Sequence, residues 1–328
     1  MESGGETKRI IIVGGGNAGS LLAKSLQFNA ALTFVDPKEY LEITLANLRN
    51  MVEASFAERS MINHRDYLTN ESIVTYAATD ITDTEVLTAD GNRISYDYLV
   101  IATGHRGLVP TTKIERLHQY KEGPTDVELA GEIATDFPNK KVTLVHKRPR
   151  LLKFIGPKAS DKTLRWLKSM KFEREANQYI KPQLEKASKR IVISFVPGNL
   201  WLNKTILKTN LNGNGSLMVD EHLRVNDRND IFAIENITDV PELKQEFLTQ
   251  KHAIVVAKNL KDLMRGGKEI KMAKYESGLD IAVVSLRRKD AVAQFPFATI
   301  SGCLPGLLKS RTWAYSLKSL HMLEKQLK

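Results

Sequence analysis

Apolar residues gather in short unbroken runs over the first third of the chain: Ile10-Ile11-Ile12-Val13, Leu32-Thr33-Phe34-Val35 and Tyr98-Leu99-Val100-Ile101. Runs of this length, bounded by turn residues, mark strands buried on both faces, as in a parallel sheet. A helix-like stretch, Ser20 to Leu26, separates the first two runs. A further strand is expected at Ser72-Ile73-Val74-Thr75-Tyr76, and the turn Ala89-Asp90-Gly91-Asn92 precedes the strand from Asp97 to Gly104. Strand, helix and strand in succession predict an α/β fold.

A second unit follows, with a helix from Gly123 to Phe137 and a strand from Lys141 to His146. Residues 111–122 are too polar for a buried parallel strand, so the strand that should open this unit is missing. Residues 171–190 are also polar and helix-like, and only Arg190 to Pro197 looks like a strand there. The pattern resumes at 217–258, where Arg224 to Asp230 leads into the strand Ile231-Phe232-Ala233-Ile234 and a helix from about Pro241 to Leu260. A hairpin-like pair, Asp280 to Leu286 and Ala291 to Phe297, is turned by Arg287 to Asp290. The tail from Leu304 to Lys328 is basic and partly amphipathic, with Trp313, Leu317, Leu320, Leu323 and Leu327 at helical spacing.

The candidate chemistry sits at the end of the first strand. Gly14-Gly15-Gly16-Asn17-Ala18-Gly19 is a G-x-G-x-x-G turn opening a helix, and Asp36 ends the next strand roughly 20 residues on, the dinucleotide fingerprint. Gly14 permits the tight turn, Gly16 lets backbone N–H groups approach a pyrophosphate, and Gly19 lets helix and strand pack closely. Asp36 is expected to hold the adenosine ribose.

Composition narrows the function. The chain has 328 residues and a formal charge of +10, which suits anionic surfaces or phosphorylated ligands, but no nucleic-acid-binding motif accompanies the charge. Its single cysteine, Cys303, excludes a disulfide framework and a paired-cysteine redox centre, and a buried structural role is expected for it. His64 and His105 are expected to be surface or hydrogen-bonded structural residues, and no metal site is expected. The start lacks a signal-peptide core, and no apolar run reaches the ~18 residues of a membrane span. The expected location is the cytoplasm, with peripheral membrane contact through the tail open beside packing of the tail on the protein itself.

Several motifs resemble the apoptosis-inducing-factor homologues that include the ferroptosis-suppressor flavoproteins, kin of type II NADH dehydrogenases. They are Ile12 to Gly19, Val35-Asp36-Pro37-Lys38-Glu39-Tyr40, Phe56 to Ser60, Tyr98 to Gly104, Gly123 to Gly131, Leu152 to Lys158, Phe232 to Asp239, Gln250 to Ala253 and Gln294 to Gly302. The resemblance implies a flavoprotein with two Rossmann-type dinucleotide-binding domains: one holds FAD, the other brings NADH or NADPH to it, and the flavin reduces a quinone-type acceptor. It divides the chain into an FAD-binding domain over 1–113 and 214–262, an apparently truncated NAD(P)H-type domain over 114–213, and a hairpin and tail over 263–328. It implies FAD contacts at Gly14 to Gly19, Asp36, Arg49, Ala77 (on the third strand, near the adenine), Thr103, Gly104 and Asn236. Gln250 and Lys251, early in the late helix, fall at the flavin's pyrimidine edge, where a helix N-terminus stabilises a reduced, anionic flavin.

The chain departs from that pattern in two places. Glu235-Asn236 stands where the family carries Gly-Asp, and Asn236 can still hydrogen-bond a ribityl hydroxyl. At the second site, Gly123 follows Lys121-Glu122 instead of an apolar strand, and Asp126 replaces the last motif glycine, an unfavourable charge beside a pyrophosphate. His146-Lys147-Arg148 stand where NAD-specific sites place an acid, which suits NADPH; a solvated basic surface is the other reading. The expected activity is FAD-dependent NAD(P)H oxidation with electrons passed to a quinone. The alternative is a degenerate flavoprotein with little NAD(P)H turnover, acting through interaction or regulation.

Overall fold

A computed structural model of the chain describes residues 7–43, 47–50, 52–53, 60–104, 124–139, 143–146, 150–152, 155–170, 173–176, 200–266, 269–278, 281–287 and 289–307. Its centre is a parallel sheet of β1 (Arg9–Val13), β2 (Ala31–Val35), β5 (Ser72–Val74), β9 (Tyr98–Ile101) and β12 (Ile231–Ala233), in the order β12-β9-β1-β2-β5. All its pairings are parallel, so both faces must be covered, which is why the strands read as apolar runs.

The pleat sends successive side chains to opposite faces. Ile10, Ile12, Phe34, Val100 and Phe232 pack with Leu22, Leu26, Val256 and Leu260 from helices α1 (Asn17–Leu26) and α5 (Glu246–Met264). Ile11, Val13, Leu99, Ile101 and Ile231 face the other way, against Ile81, Val86, Leu202 and Leu217. The second face is covered by an antiparallel meander the sequence pattern does not announce: β6 (Ala78–Ile81), β7 (Glu85–Thr88) and β8 (Arg93–Ser95). The turn at Ala89 to Asn92 joins its second and third strands. A small antiparallel pair, β3 (Tyr40–Glu42) and β4 (Met61–Asn63), and a one-turn helix, α2 (Asn47–Asn50), complete the region after β2.

The second unit has helix α3 (Pro124–Asp136), strand β10 (Thr143–His146), helix α4 (Pro157–Ser169) and strand β11 (Glu173–Ala176), with β10 and β11 parallel. A strand at 173–176 corrects the helical reading of 171–190. Its polar residues pair at the edge of a two-stranded sheet among the described residues, so the parallel-strand rule of continuous apolarity does not apply. The strand expected at Arg190 to Pro197 lies outside the described residues. The hairpin forms as β13 (Ala282–Ser285) and β14 (Ala291–Gln294), and β15 (Thr299–Gly302) adds a third antiparallel strand.

α3 and α4 dock on this hairpin sheet. Glu128 Oε1 accepts the Ser285 N–H at 2.9 Å, Lys162 Nζ donates to the Thr299 carbonyl at 2.9 Å, and the Gly156 N–H donates to Gln294 Oε1. The late helix begins at Glu246, not Pro241: Pro241 to Gln245 lie ahead of it, where Glu242 and Lys244 bond the neighbouring loop. Cys303 is exposed, which corrects the buried role expected for it; its motif ends at the surface edge of the hairpin sheet. Among the described residues, no helix is long and apolar enough to cross a membrane.

Candidate functional site

Four loops converge at the carboxyl ends of the central strands, where β1 is flanked by β9 on one side and β2 on the other, the position at which parallel α/β sheets open a crevice. Gly14 follows β1, Asp36 follows β2, Ala102-Thr103-Gly104 follow β9 and Glu235 follows β12. The ladder continues into these loops: Gly14 N–H donates to the Val35 carbonyl at 2.9 Å, Asp36 N–H to Val74 at 3.1 Å and Ala102 N–H to Val13 at 2.7 Å.

The glycines are demanded by that convergence. Gly14 has φ 115°, and a Cβ there would overlap the Ala102 carbonyl; a Cβ on Gly19 would overlap the Gly14 carbonyl. α1 therefore starts hard against the strand ends. Its N-cap is Gly16, which offers no side-chain acceptor to the first-turn N–H groups.

Asp36 is 7% exposed and accepts from two backbone donors, the Gly15 N–H and the Lys38 N–H, the latter at 2.8 Å. The carboxylate thus binds the glycine turn to the end of β2. Below the turn lies a hydrogen-bonded chain. The Tyr67 hydroxyl donates to Ser20 Oγ at 2.8 Å, Ser20 Oγ donates to the Gly15 carbonyl at 3.2 Å, and His64 Nδ1 stands 2.5 Å from the Tyr67 hydroxyl. With the Tyr67 proton given to Ser20, His64 Nδ1 is the donor to Tyr67 and Nε2 is left a bare acceptor. Burial lowers the His64 pKa against the opposing charge of Asp36, so the ring is neutral near neutral pH. Its Nε2 has no hydrogen-bond partner among the described residues and lies beside Gly15 and Asp36. His64 is hydrogen-bonded and fully buried, but its place at the glycine turn carries no signal in the sequence: it is 28 positions beyond Asp36 and is brought to the site by its bond to Tyr67 and by packing on Phe34, with ring centroids 4.9 Å apart.

The loop after β12 supplies the other wall. Glu235 has φ 74°, its Oε1 accepts the Ala18 N–H at 2.9 Å, and Oε2 lies beside Gly104, itself at φ 60°. Burial pushes the Glu235 pKa up to about 7, the Ala18 N–H opposing and Glu246 reinforcing the rise. The Glu235 N–H donates to His252 Nδ1 at 3.2 Å, and His252 Nε2 is 3.0 Å from Glu242 Oε1. Burial works against charge on Glu242, but hydrogen bonds from His252 and the Tyr275 hydroxyl outweigh it and hold the carboxyl low. Asn236 follows in the same turn, and its buried Oδ1 has no partner among the described residues.

The expected contacts fall into three groups. Gly14, Gly15, Gly16, Asp36, Thr103, Gly104 and Asn236 lie on the four converging loops, and Asn17, Ala18 and Gly19 form the first turn of α1 beside them. Arg49 lies on α2, where its guanidinium pairs with Glu53 at 2.9 Å, and Ala77 lies after β5 in the connection to β6, not on the third strand. Gln250 is buried and Lys251 exposed in the second turn of α5, with Lys251 Nζ 5.9 Å from the Phe247 ring. Of the second nucleotide site, Gly123, Lys147 and Arg148 lie outside the described residues, and the His146 backbone pairs with Ala176 at the end of β10.

Tested against a dinucleotide, the frame fits: a glycine turn at a helix start, an acid at the end of β2, and two buried acceptors, His64 Nε2 and Asn236 Oδ1, suited to hydroxyl donors. The Glu235 carboxylate does not fit, because it already holds an N–H of the phosphate-facing turn.

No protein-family model matches the chain. It is 27% identical over 350 residues to apoptosis-inducing factor homolog A of Dictyostelium discoideum, covering 88% of this chain and 85% of the relative. Ferroptosis suppressor protein 1 of Homo sapiens is 26% identical over 359 residues, covering 95% of this chain and 94% of the relative. Among solved structures, the sulfide:quinone oxidoreductase of Aquifex aeolicus superposes with a TM-score of 0.77 at 18% identity, over 96% of this chain and 92% of the other. NDH2 of Plasmodium falciparum in complex with NADH superposes with a TM-score of 0.69 at 14% identity, over 97% of each chain. The chain thus has a Rossmann-type α/β fold shared with those structures and is similar in sequence to the apoptosis-inducing-factor homologues and ferroptosis suppressor proteins.

Proposed function

We propose that the chain is an FAD-dependent NAD(P)H oxidoreductase that passes electrons to a quinone-type acceptor. The observation that carries this reading is the glycine turn at the start of α1 with Asp36 at the end of β2 bound to it. The solved neighbours include a sulfide:quinone oxidoreductase and an NDH2 bound to NADH, which supports the same class. A bound flavin would supply hydride acceptance and onward electron transfer, and the protein would supply position and electrostatics. In that reading Gly14 to Gly19 take the diphosphate, Asp36 and His64 take ribose hydroxyls, and Asn236 takes a ribityl hydroxyl. Gln250 and Lys251 lie toward the isoalloxazine. The FAD-binding part spans 1–113 and 214–262, the nicotinamide part 114–213.

The visible spectrum of purified protein given excess FAD, followed anaerobically on addition of NADH or NADPH and then of a short-chain quinone, tests the proposal. Flavin absorbance that bleaches with the nucleotide and returns with the quinone is expected. A protein that takes up no flavin removes it.

A second reading, FAD binding with little NAD(P)H turnover, is favoured by the sequence of the nicotinamide part, where Lys121-Glu122 precede Gly123 and Asp126 stands in place of the last motif glycine. Flavin uptake without bleaching is its signature. The tail from Leu304 is further proposed to bring the chain to anionic membranes, and flotation with phosphatidylserine vesicles against a chain ending at Gly302 tests that. Equal partitioning of the two excludes it.

A further inference from the structure

The first turn of α1 is capped from far along the chain. Helices with glycine at the N-cap leave their first N–H groups to water or to a ligand, and here Gly16 bonds none of them. Glu235, 217 positions from Ala18, takes the Ala18 N–H instead, and its oxygens lie 2.8 Å and 3.1 Å from where side-chain carbons on Gly16 and Gly104 would stand. Both glycines therefore leave room that a carboxylate uses. The contact is held at a cost, since Glu235 keeps a left-handed φ of 74°, unfavourable for a residue with a side chain. His252 Nδ1 fixes that backbone by accepting its N–H at 3.2 Å.

A separate group also points at the turn. His64 is fully buried, and its Nε2, without a partner among the described residues, lies 2.8 Å from where a Gly15 Cβ would stand. A buried acceptor without a donor is costly unless a ligand supplies one. The turn is thus built for a ligand with hydroxyl donors, while its anion-binding N–H is held by the protein's own anion.

We infer that Glu235 is an internal stand-in for the cofactor's diphosphate: its carboxylate caps α1 in the cofactor-free chain and swings out when FAD binds. The inference rests on the flavin reading above. A diphosphate oxygen and Glu235 Oε1 cannot both stand at hydrogen-bond distance on the one Ala18 N–H, and where the carboxyl is ionised the two groups also repel. The carboxylate is suited to leaving, since burial disfavours its charge and what holds it to the turn is a hydrogen bond from the Ala18 N–H.

The test uses the full chain freed of flavin, with Glu235→Gly and Glu235→Gln. Glu235→Gly relieves the backbone and removes the carboxylate; Glu235→Gln keeps size and backbone preference and removes the charge. The first readout is amide hydrogen exchange at Ala18, which needs no flavin. Protection in the parent that is lost in Glu235→Gly supports the cap, and equal exchange in both overturns it. The second is FAD affinity from quenching of flavin fluorescence. Glu235→Gly should bind about ten- to a hundredfold more tightly, the equivalent of one hydrogen bond to a charged group, with Glu235→Gln between. Affinity unchanged or weaker in Glu235→Gly overturns displacement. If no form binds FAD while Ala18 still loses protection in Glu235→Gly, the flavin reading fails and the cap stands.

Discussion

His252 holds Glu235 by the backbone: Nδ1 accepts the Glu235 N–H at 3.2 Å while Nε2 faces Glu242 Oε1 at 3.0 Å. A single ring thus ties the loop after β12 to the segment ahead of α5, and the Tyr275 ring meets it edge-on with centroids 4.4 Å apart.

Replacing His252 by Ala leaves the Glu235 N–H and the Glu242 carboxylate without this partner and opens a space beside Tyr275. Urea unfolding should show a loss of about 3 kcal/mol, the sum expected for an orphaned buried donor and a lost ring. A loss below about 1 kcal/mol would mean the ring is not the tie described.

Glu235 makes stability depend on pH. Its folded pKa is raised to about 7 from an ordinary 4.5, so its contribution is present below the unfolded value and is lost as pH rises through about 7. The charged and titratable groups around it are Glu246 and His252 on α5 and, across the glycine turn, Asp36 and His64. The flavin-free chain should therefore lose up to roughly 3 kcal/mol between about pH 4.5 and about pH 7 from this group. Glu235→Gln should flatten that part of the profile. Glu71, raised to about 7 by burial, adds a slope of the same sign that Glu235→Gln leaves in place.

Asp36→Asn keeps one acceptor but turns an amide N–H toward the Gly15 or Lys38 donor. FAD affinity should fall by about tenfold or more, the cost of opposing donors at a buried site. His64→Phe preserves packing on Phe34 and removes the bare Nε2; a loss of about tenfold is expected if that atom receives a ribose hydroxyl. Unchanged affinity in His64→Phe assigns the ring to structure alone.

A Cβ at Gly131 would overlap the Leu286 carbonyl, where α3 crosses the hairpin sheet. Gly131→Ala should cost about 2 kcal/mol or more by forcing helix and hairpin apart. Hydrogen exchange should quicken in β13 and β14 while β1 and β9 keep their protection. Equal quickening in both sheets would show one cooperative unit instead.

The sequence by itself determined the central sheet and the glycine turn, because both are local. An unbroken apolar run needs no distant partner to declare a strand covered on two faces, and glycine spacing with Asp36 states the turn directly. Short elements escaped it. β6 to β8 and β11 are three- or four-residue strands whose patterns are too brief to show a period, and Glu173 to Ala176 is polar because it pairs in a small sheet. The sequence also marked Glu235 as a bulky residue in a glycine's place. Only the tertiary structure decided where its carboxylate goes. Parallel strands bring loops roughly two hundred positions apart to the carboxyl ends of one sheet, and there Glu235 meets the N–H of Ala18 and the His64 ring comes up beside Gly15.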